Sequence, residues 1–147
     1  MISQTAEYAL RAVVFLALNP KGAFTAQEIA ATTKVPPAYL SKVLKLLVTA
    51  EVVISQRGLG GGFSLAKKPE DINLLEIVNA VEPVERIRTC PLGLKAHGKV
   101  LCALHKRLDD VAASLESSFA ETTVADLLTN PTPSVPLYEK LPRHACK

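Results

Sequence analysis

Cys90, Cys102 and His105 are the residues whose types and spacing best suit chemistry. Thiolate and imidazole are competent ligands for iron-sulfur clusters or zinc, and an accessible thiol can also be oxidised. Cys102 and His105 stand three apart, so on a helix they share a face, and Cys90 lies in a loop able to fold back over it. His97 offers a spare nitrogen in the same loop. Three uses stay open: metal or cluster ligation, thiol redox sensing, and plain structure, with Cys102 a small buried hydrophobe and His105 a satisfied surface histidine. The third cysteine, Cys146, lies with His144 in the C-terminal tail, where no sensing role is expected. An odd count of 3 cysteines does not resemble a secreted disulfide framework.

A second set of residues suits nucleic acid. The formal charge of +3 is mild, but between Lys34 and Lys68 there are six Lys or Arg and one acid, Glu51. Major-groove reading needs a helix held by its inner face while its outer side chains point at bases and phosphates. Leu40, Val43, Leu44 and Leu47 can face inward, which leaves Ala38, Tyr39, Ser41, Lys42 and Lys45 for DNA. Arg57 and Gly58 open the glycine-rich stretch RGLGGGF, where small residues allow close backbone approach and a guanidinium can enter the minor groove. A nucleotide-binding loop is excluded, because Phe63 stands where the dinucleotide fingerprint needs glycine and no Gly-Lys-Ser/Thr follows. The competing readings are a helical hairpin with a solvated basic face and a merely flexible hairpin tip with Arg57 in water.

The elements that must position these groups can be read from caps and periodicity. Ser3 caps a helix running to about Leu18, stopped by Asn19 and Pro20. Thr25 with Glu28 forms a capping box for a short helix through Ile29 and Ala30, and Thr32 to Val35 reads as a turn. Pro36 and Pro37 preset entry to the next helix. Val52 to Ile54 and Phe63 to Leu65 are strand candidates, giving a two-stranded wing. Asn73 with Glu76 caps a further helix that ends near Pro83, and Thr89 to Gly98 reads as a loop. From about Lys99 to Phe119 the chain turns strongly helical. Leu101, Leu104, Leu108, Val111 and Leu115 recur there at alternate spacings of three and four, a stripe that needs another helix to cover it. Thr123 and Asp126 cap a last short helix through Leu128, before the prolines of the tail.

These features predict a mainly α fold: a winged helix-turn-helix DNA-binding domain with a two-stranded β wing (residues 1–82), followed by a sensor loop and long dimerisation helix (83–130) and an irregular tail (131–147). With 48% hydrophobic and 21% charged residues among 147, the chain has the composition of a folded protein. Glu7 and Arg11 interrupt the first apolar stretch and no basic leader precedes it, so a cytoplasmic location is expected; no run reaches the roughly 18–20 apolar residues of a membrane span. A small thiol or metal enzyme is the rival class, opposed by the lack of a base beside a nucleophile in any recognisable motif.

The sequence resembles the Rrf-two family of winged helix-turn-helix regulators, which includes IscR and NsrR. The resemblance covers roughly residues 1–130 and is carried by YALRAVVFLA (8–17), PPAYLSKVLKLL (36–47), RGLGGGF (57–63), LLEIVNAVE (74–82) and TCPLGLKAHGKVLCALHKRLDDV (89–111). It implies a homodimer on a palindromic duplex operator, Arg57 in the minor groove, and a cluster beside the dimer helix. Cluster-binding members carry three cysteines in this loop, whereas Ala96 stands midway between Cys90 and Cys102. His105 matches the histidine of IscR-like members, and Glu7 matches an acidic residue that NsrR-like members supply from the other subunit. The expectation is therefore a redox-, iron-sulfur- or nitric-oxide-responsive repressor or activator, not an enzyme, with Cys90, Cys102, His105 and Glu7 as metal ligands. With two thiolates plus nitrogen and oxygen donors, a two-iron, two-sulfur cluster is favoured over a four-iron one. The alternative is a cluster-free regulator of the same shape, using free thiols or a protein partner as input.

Overall fold

A computed structural model describes residues 2–98, 100–129 and 134–139. Six helices and one antiparallel hairpin follow in the order α1 (Gln4–Leu18), α2 (Ala26–Thr33), α3 (Pro37–Thr49), β1 (Val53–Gln56), β2 (Gly62–Leu65), α4 (Leu74–Val81), α5 (Ala103–Glu121) and α6 (Val124–Thr129). Short 3-10 turns occupy Pro69–Asp71 and Lys95–His97.

Local chemistry sets most of these boundaries. The Ser3 hydroxyl accepts from the Ala6 amide at 3.1 Å and starts α1, and the Thr25–Glu28 and Asn73–Glu76 boxes start α2 and α4 reciprocally. The backbone and hydroxyl of Thr25 both donate to Glu28, which holds that carboxyl below its ordinary range. Helix α2 runs further than its sequence suggests. Thr32 and Thr33 are helical rather than part of a turn, and the Thr33 hydroxyl, buried with its residue, donates to the Ile29 carbonyl at 2.8 Å. The helix stops at Lys34, whose left-handed φ of 59° closes it.

Helix α1 is the centre of the molecule, packing against α2, α3, α4, α6 and β2. Its buried face and the inner stripe of α3 (Leu40, Val43, Leu44, Leu47) meet Ile29, Val52, Ile72 and Ile77 in one core. The hairpin pairs Val53 with Leu65 and Gln56 with Gly62. A third strand-like segment joins it, since the Phe24 amide donates to the Phe63 carbonyl at 3.0 Å and the Phe63 amide to the Phe24 carbonyl at 2.7 Å.

Helix α5 begins at Ala103, with Cys102 as its N-cap. Val100 and Leu101 therefore stand outside the helix that the periodicity assigned to them, and Lys99 lies outside the described residues. The chain then returns to the core: Leu74 donates to the Thr122 carbonyl, Val124 donates to that of Ile72 (both 2.9 Å), and the Val124 side chain is fully buried. Most of the proline-rich tail, with His144 and Cys146, lies outside the described residues.

Candidate DNA interface and sensor segment

Helix α3 presents the outer face expected of a reader. Ala38, Tyr39, Lys42 and Lys45 are exposed, while the four inner residues are at most 1% accessible. Ser41 is half-buried, and its hydroxyl donates back to the Pro37 carbonyl at 3.1 Å. Tyr39 is braced from α1: its hydroxyl hydrogen bonds that of Thr5, and the Tyr8 ring meets it edge-on at 5.6 Å. Arg11 extends the brace. It stacks on Tyr8, donates to the Thr33 carbonyl at the end of α2 (3.0 Å), and pairs with Glu7 at 2.7 Å. Thr5 and Arg11 escaped the sequence reading because contacts spanning 34 and 22 residues leave no local signal.

The wing carries Arg57 and Gly58 at its exposed end, with Gly58 at a φ of +95°. At its base Lys67 pairs with Glu76 at 2.7 Å, which raises the lysine's pKa.

The segment between α4 and α5 holds the chemistry-bearing residues, arranged differently from the expected single set. Cys90 is buried, and its Sγ lies 3.8 Å from His97 Nδ1. Cys102 is partly exposed, with its Sγ 3.4 Å from His105 Nδ1. Glu7 is engaged with Arg11 on α1. Two separate thiol–imidazole pairs result, and among the described residues no three His, Cys, Asp or Glu side chains converge as a metal site. The donors of one protomer, as placed here, do not fit an iron-sulfur cluster. The cause is local: Cys102 occupies an N-cap, which brings it to His105 at the third helical position, while Cys90 meets His97 beyond the Cys90–Gly93 turn. His97, which carried no assigned role in the expected ligand set, is thereby the partner of Cys90.

This segment is tied to α5 by Arg86. Its guanidinium makes two bonds to Asp109 (2.6 and 2.8 Å) and one to Glu116 (2.9 Å), and the Ile87 amide donates to Asp109 at 2.9 Å. The Arg86 bonds first, and that amide second, hold the Asp109 carboxyl down to about 2, and Arg86 is raised in turn.

No residue of α5 is buried. Leu104, Leu108 and Val111 are 64%, 50% and 63% exposed. Leu108, Val111 and Leu115 wall a groove of about 830 Å³ whose other side is formed by Ile2, Ala6, Val78 and Val84. Among the described residues no helix is long and apolar enough to cross a membrane.

The family model for Rrf2, described as an iron-dependent transcriptional regulator, matches residues 2–130. A helix-turn-helix-type transcriptional regulator of Aquifex aeolicus is 32% identical over 131 residues, covering 87% of this chain and 91% of the relative. The regulator NsrR of Shouchella clausii is 29% identical over 128 residues, covering 84% and 85%. The solved structure of T. potens IscR superposes with a TM-score of 0.71 at 24% identity, covering 87% of this chain and 85% of that one, and shares the winged-helix fold. The extent of these matches, together with the fold, places the chain in the Rrf2 family of winged helix-turn-helix transcriptional regulators.

Proposed function

We propose that the protein acts in the cytoplasm as a homodimeric regulator that binds a palindromic operator through α3 and the wing and takes its signal through the thiols of the 83–102 segment. In this reading residues 1–82 form the DNA-reading unit and 83–130 the sensing and dimerisation unit. The observation that carries it is the contrast on α3, with a sealed inner stripe behind exposed Tyr39, Lys42 and Lys45, flanked by Arg57 on the wing. The dimer is supported by the apolar α5 groove, which a second copy of the same helix would cover and thereby bury Leu104, Leu108 and Val111. A two-fold axis then sets two α3 helices on successive major grooves, hence an inverted-repeat site. Selection from a random duplex pool tests this directly. It should return an inverted repeat with half-sites about one helical turn apart; recovery of no preferred duplex would overturn the reading.

For the input, the pairing of each cysteine with its own histidine favours thiol chemistry at Cys90 and Cys102. A second reading is favoured by the family's description as iron-dependent. There Cys90, Cys102 and His105, with Glu7 from the second protomer, would hold an iron-sulfur centre, two-iron by the donor count, and its assembly would require donors from both chains. Anaerobic reconstitution with iron and sulfide analysis separates the two. Protein that takes up no iron supports the thiol reading; iron and sulfide uptake lost in Cys90→Ala and Cys102→Ala overturns it in favour of the cluster.

A further inference from the structure

The apex of the wing is a four-residue turn, Gly58–Gly61, closed by the Gly61 amide donating to the Gly58 carbonyl at 3.0 Å. Leu59 sits at its corner and is fully exposed, at 109% of its reference area, more open than any other large hydrophobic residue described. Gly61 is wedged so tightly that a Cβ there would lie 2.5 Å from the Gln56 carbonyl oxygen and 2.8 Å from that of Gly58. Gly62, at a φ of +145°, lies against the α1–α2 loop, where a Cβ would come within 2.5 Å of the Phe24 carbonyl. The hairpin is thus pinned at the neck of its turn, where Gln56 pairs with Gly62, and tight at its tip, with Gly58 and Gly60 leaving open space on both sides of the leucine. A four-carbon apolar side chain is held out two residues along the chain from Arg57.

We propose that Leu59 is an apolar wedge that enters the minor groove of the operator beside Arg57, unstacking a base step there. The inference rests on the DNA-binding reading above. Arg57 is drawn to the negative potential of a narrow minor groove and delivers the neighbouring leucine to its floor. Proteins that work in this groove use apolar side chains in this way, and the cost of unstacking is lowest at flexible pyrimidine–purine steps. Leu59 thereby selects for deformability at positions where the protein makes no hydrogen bond to a base. Because the leucine contacts sugars and base faces rather than phosphates, it displaces no counterions.

The test uses the full-length protein, a duplex selected by the wild type, and the variants Leu59→Ser, Leu59→Met and Arg57→Ala. Leu59 touches nothing in its own chain, so the thermal melts of its variants should match that of the wild type. Leu59→Ser should bind about tenfold more weakly with an unchanged salt slope, and should bend end-labelled duplex less by energy transfer. Leu59→Met should restore both. Repeating the selection with Leu59→Ser should relax any pyrimidine–purine preference opposite the wing. Unchanged affinity and bend in Leu59→Ser, beside weakened binding by Arg57→Ala, would overturn the wedge and leave the DNA reading intact. A wild type that selects no duplex would overturn both.

Discussion

Helices α1 and α5 are of similar length and opposite fate. Over its 15 residues α1 buries eight, from Ala6 to Ala17, whereas α5 buries none of its 19. The first is an internal axle against which the DNA-reading elements are set. The second leaves Leu104, Leu108 and Val111 of its apolar stripe exposed, a face that its own chain does not cover. The difference separates the part of the chain that builds its own core from the part whose apolar face stays open.

The sharpest way to test that division is to truncate one leucine on each side of it. Leu44→Ala, at full burial, should cost about 2–5 kcal/mol in denaturant unfolding, while Leu108→Ala should cost the protomer little. An equal loss would mean that α5 is part of the same core. Next in size, Leu108→Glu should convert the proposed dimer to monomer in sedimentation with its helix content unchanged, since the groove offers the carboxylate no partner cation among its lining residues. A dimer that survives moves the interface elsewhere.

Smaller effects probe the joints between the two regions. Gly62→Ala should free the neck of the wing from Phe24, raising hydrogen exchange at the Phe24 and Phe63 amides and weakening DNA binding while the α1–α3 core melts as before. Protected amides at those two positions would mean that the loop yields to the methyl group. At the other joint, the Asp109 carboxyl has its folded pKa at about 2, below its ordinary 3.8, so it binds fewer protons folded than unfolded. Its contribution is fully present above pH 4 and is lost as pH falls toward 2. Arg86→Ala should remove that part of the acid dependence of stability. A variant retaining the wild-type acid profile would deny the clamp a role in folding.

The division also explains what could be read in advance. Caps and inner stripes are local: Ser3, the Thr25–Glu28 and Asn73–Glu76 boxes, and the leucines of α3 all sit as their spacing implied. The two-stranded wing follows from its strand candidates as well, although β1 runs Val53–Gln56 rather than Val52–Ile54. The structure departs from local signals where a distant partner or a helix terminus decides. The two extra residues of α2 are secured by a threonine bonding back one turn and by Arg11 on the last carbonyl. The start of α5 moved from Lys99 to Ala103 because the leucine period runs on past the point where Cys102 caps the helix. The cysteine grouping was illegible for the same reason, since spacing puts Cys102 near His105 but says nothing of which imidazole meets Cys90. The Arg86–Asp109 pair spans 23 residues of chain and follows from no motif.

In the proposed reading, α3 and the wing bind DNA by neutralising phosphates in a fixed frame. The most direct measurement is the slope of log affinity against log salt on the selected duplex, for wild type, Lys42→Ala and Lys45→Ala. A lysine that contacts a phosphate lowers the slope by about one when removed, whereas one that contacts a base relaxes sequence preference instead. A steep linear slope in the wild type, made shallower by about one in at least one of the two variants, is the predicted result. A wild-type slope near zero, or both variants indistinguishable from wild type in affinity and slope, would contradict it.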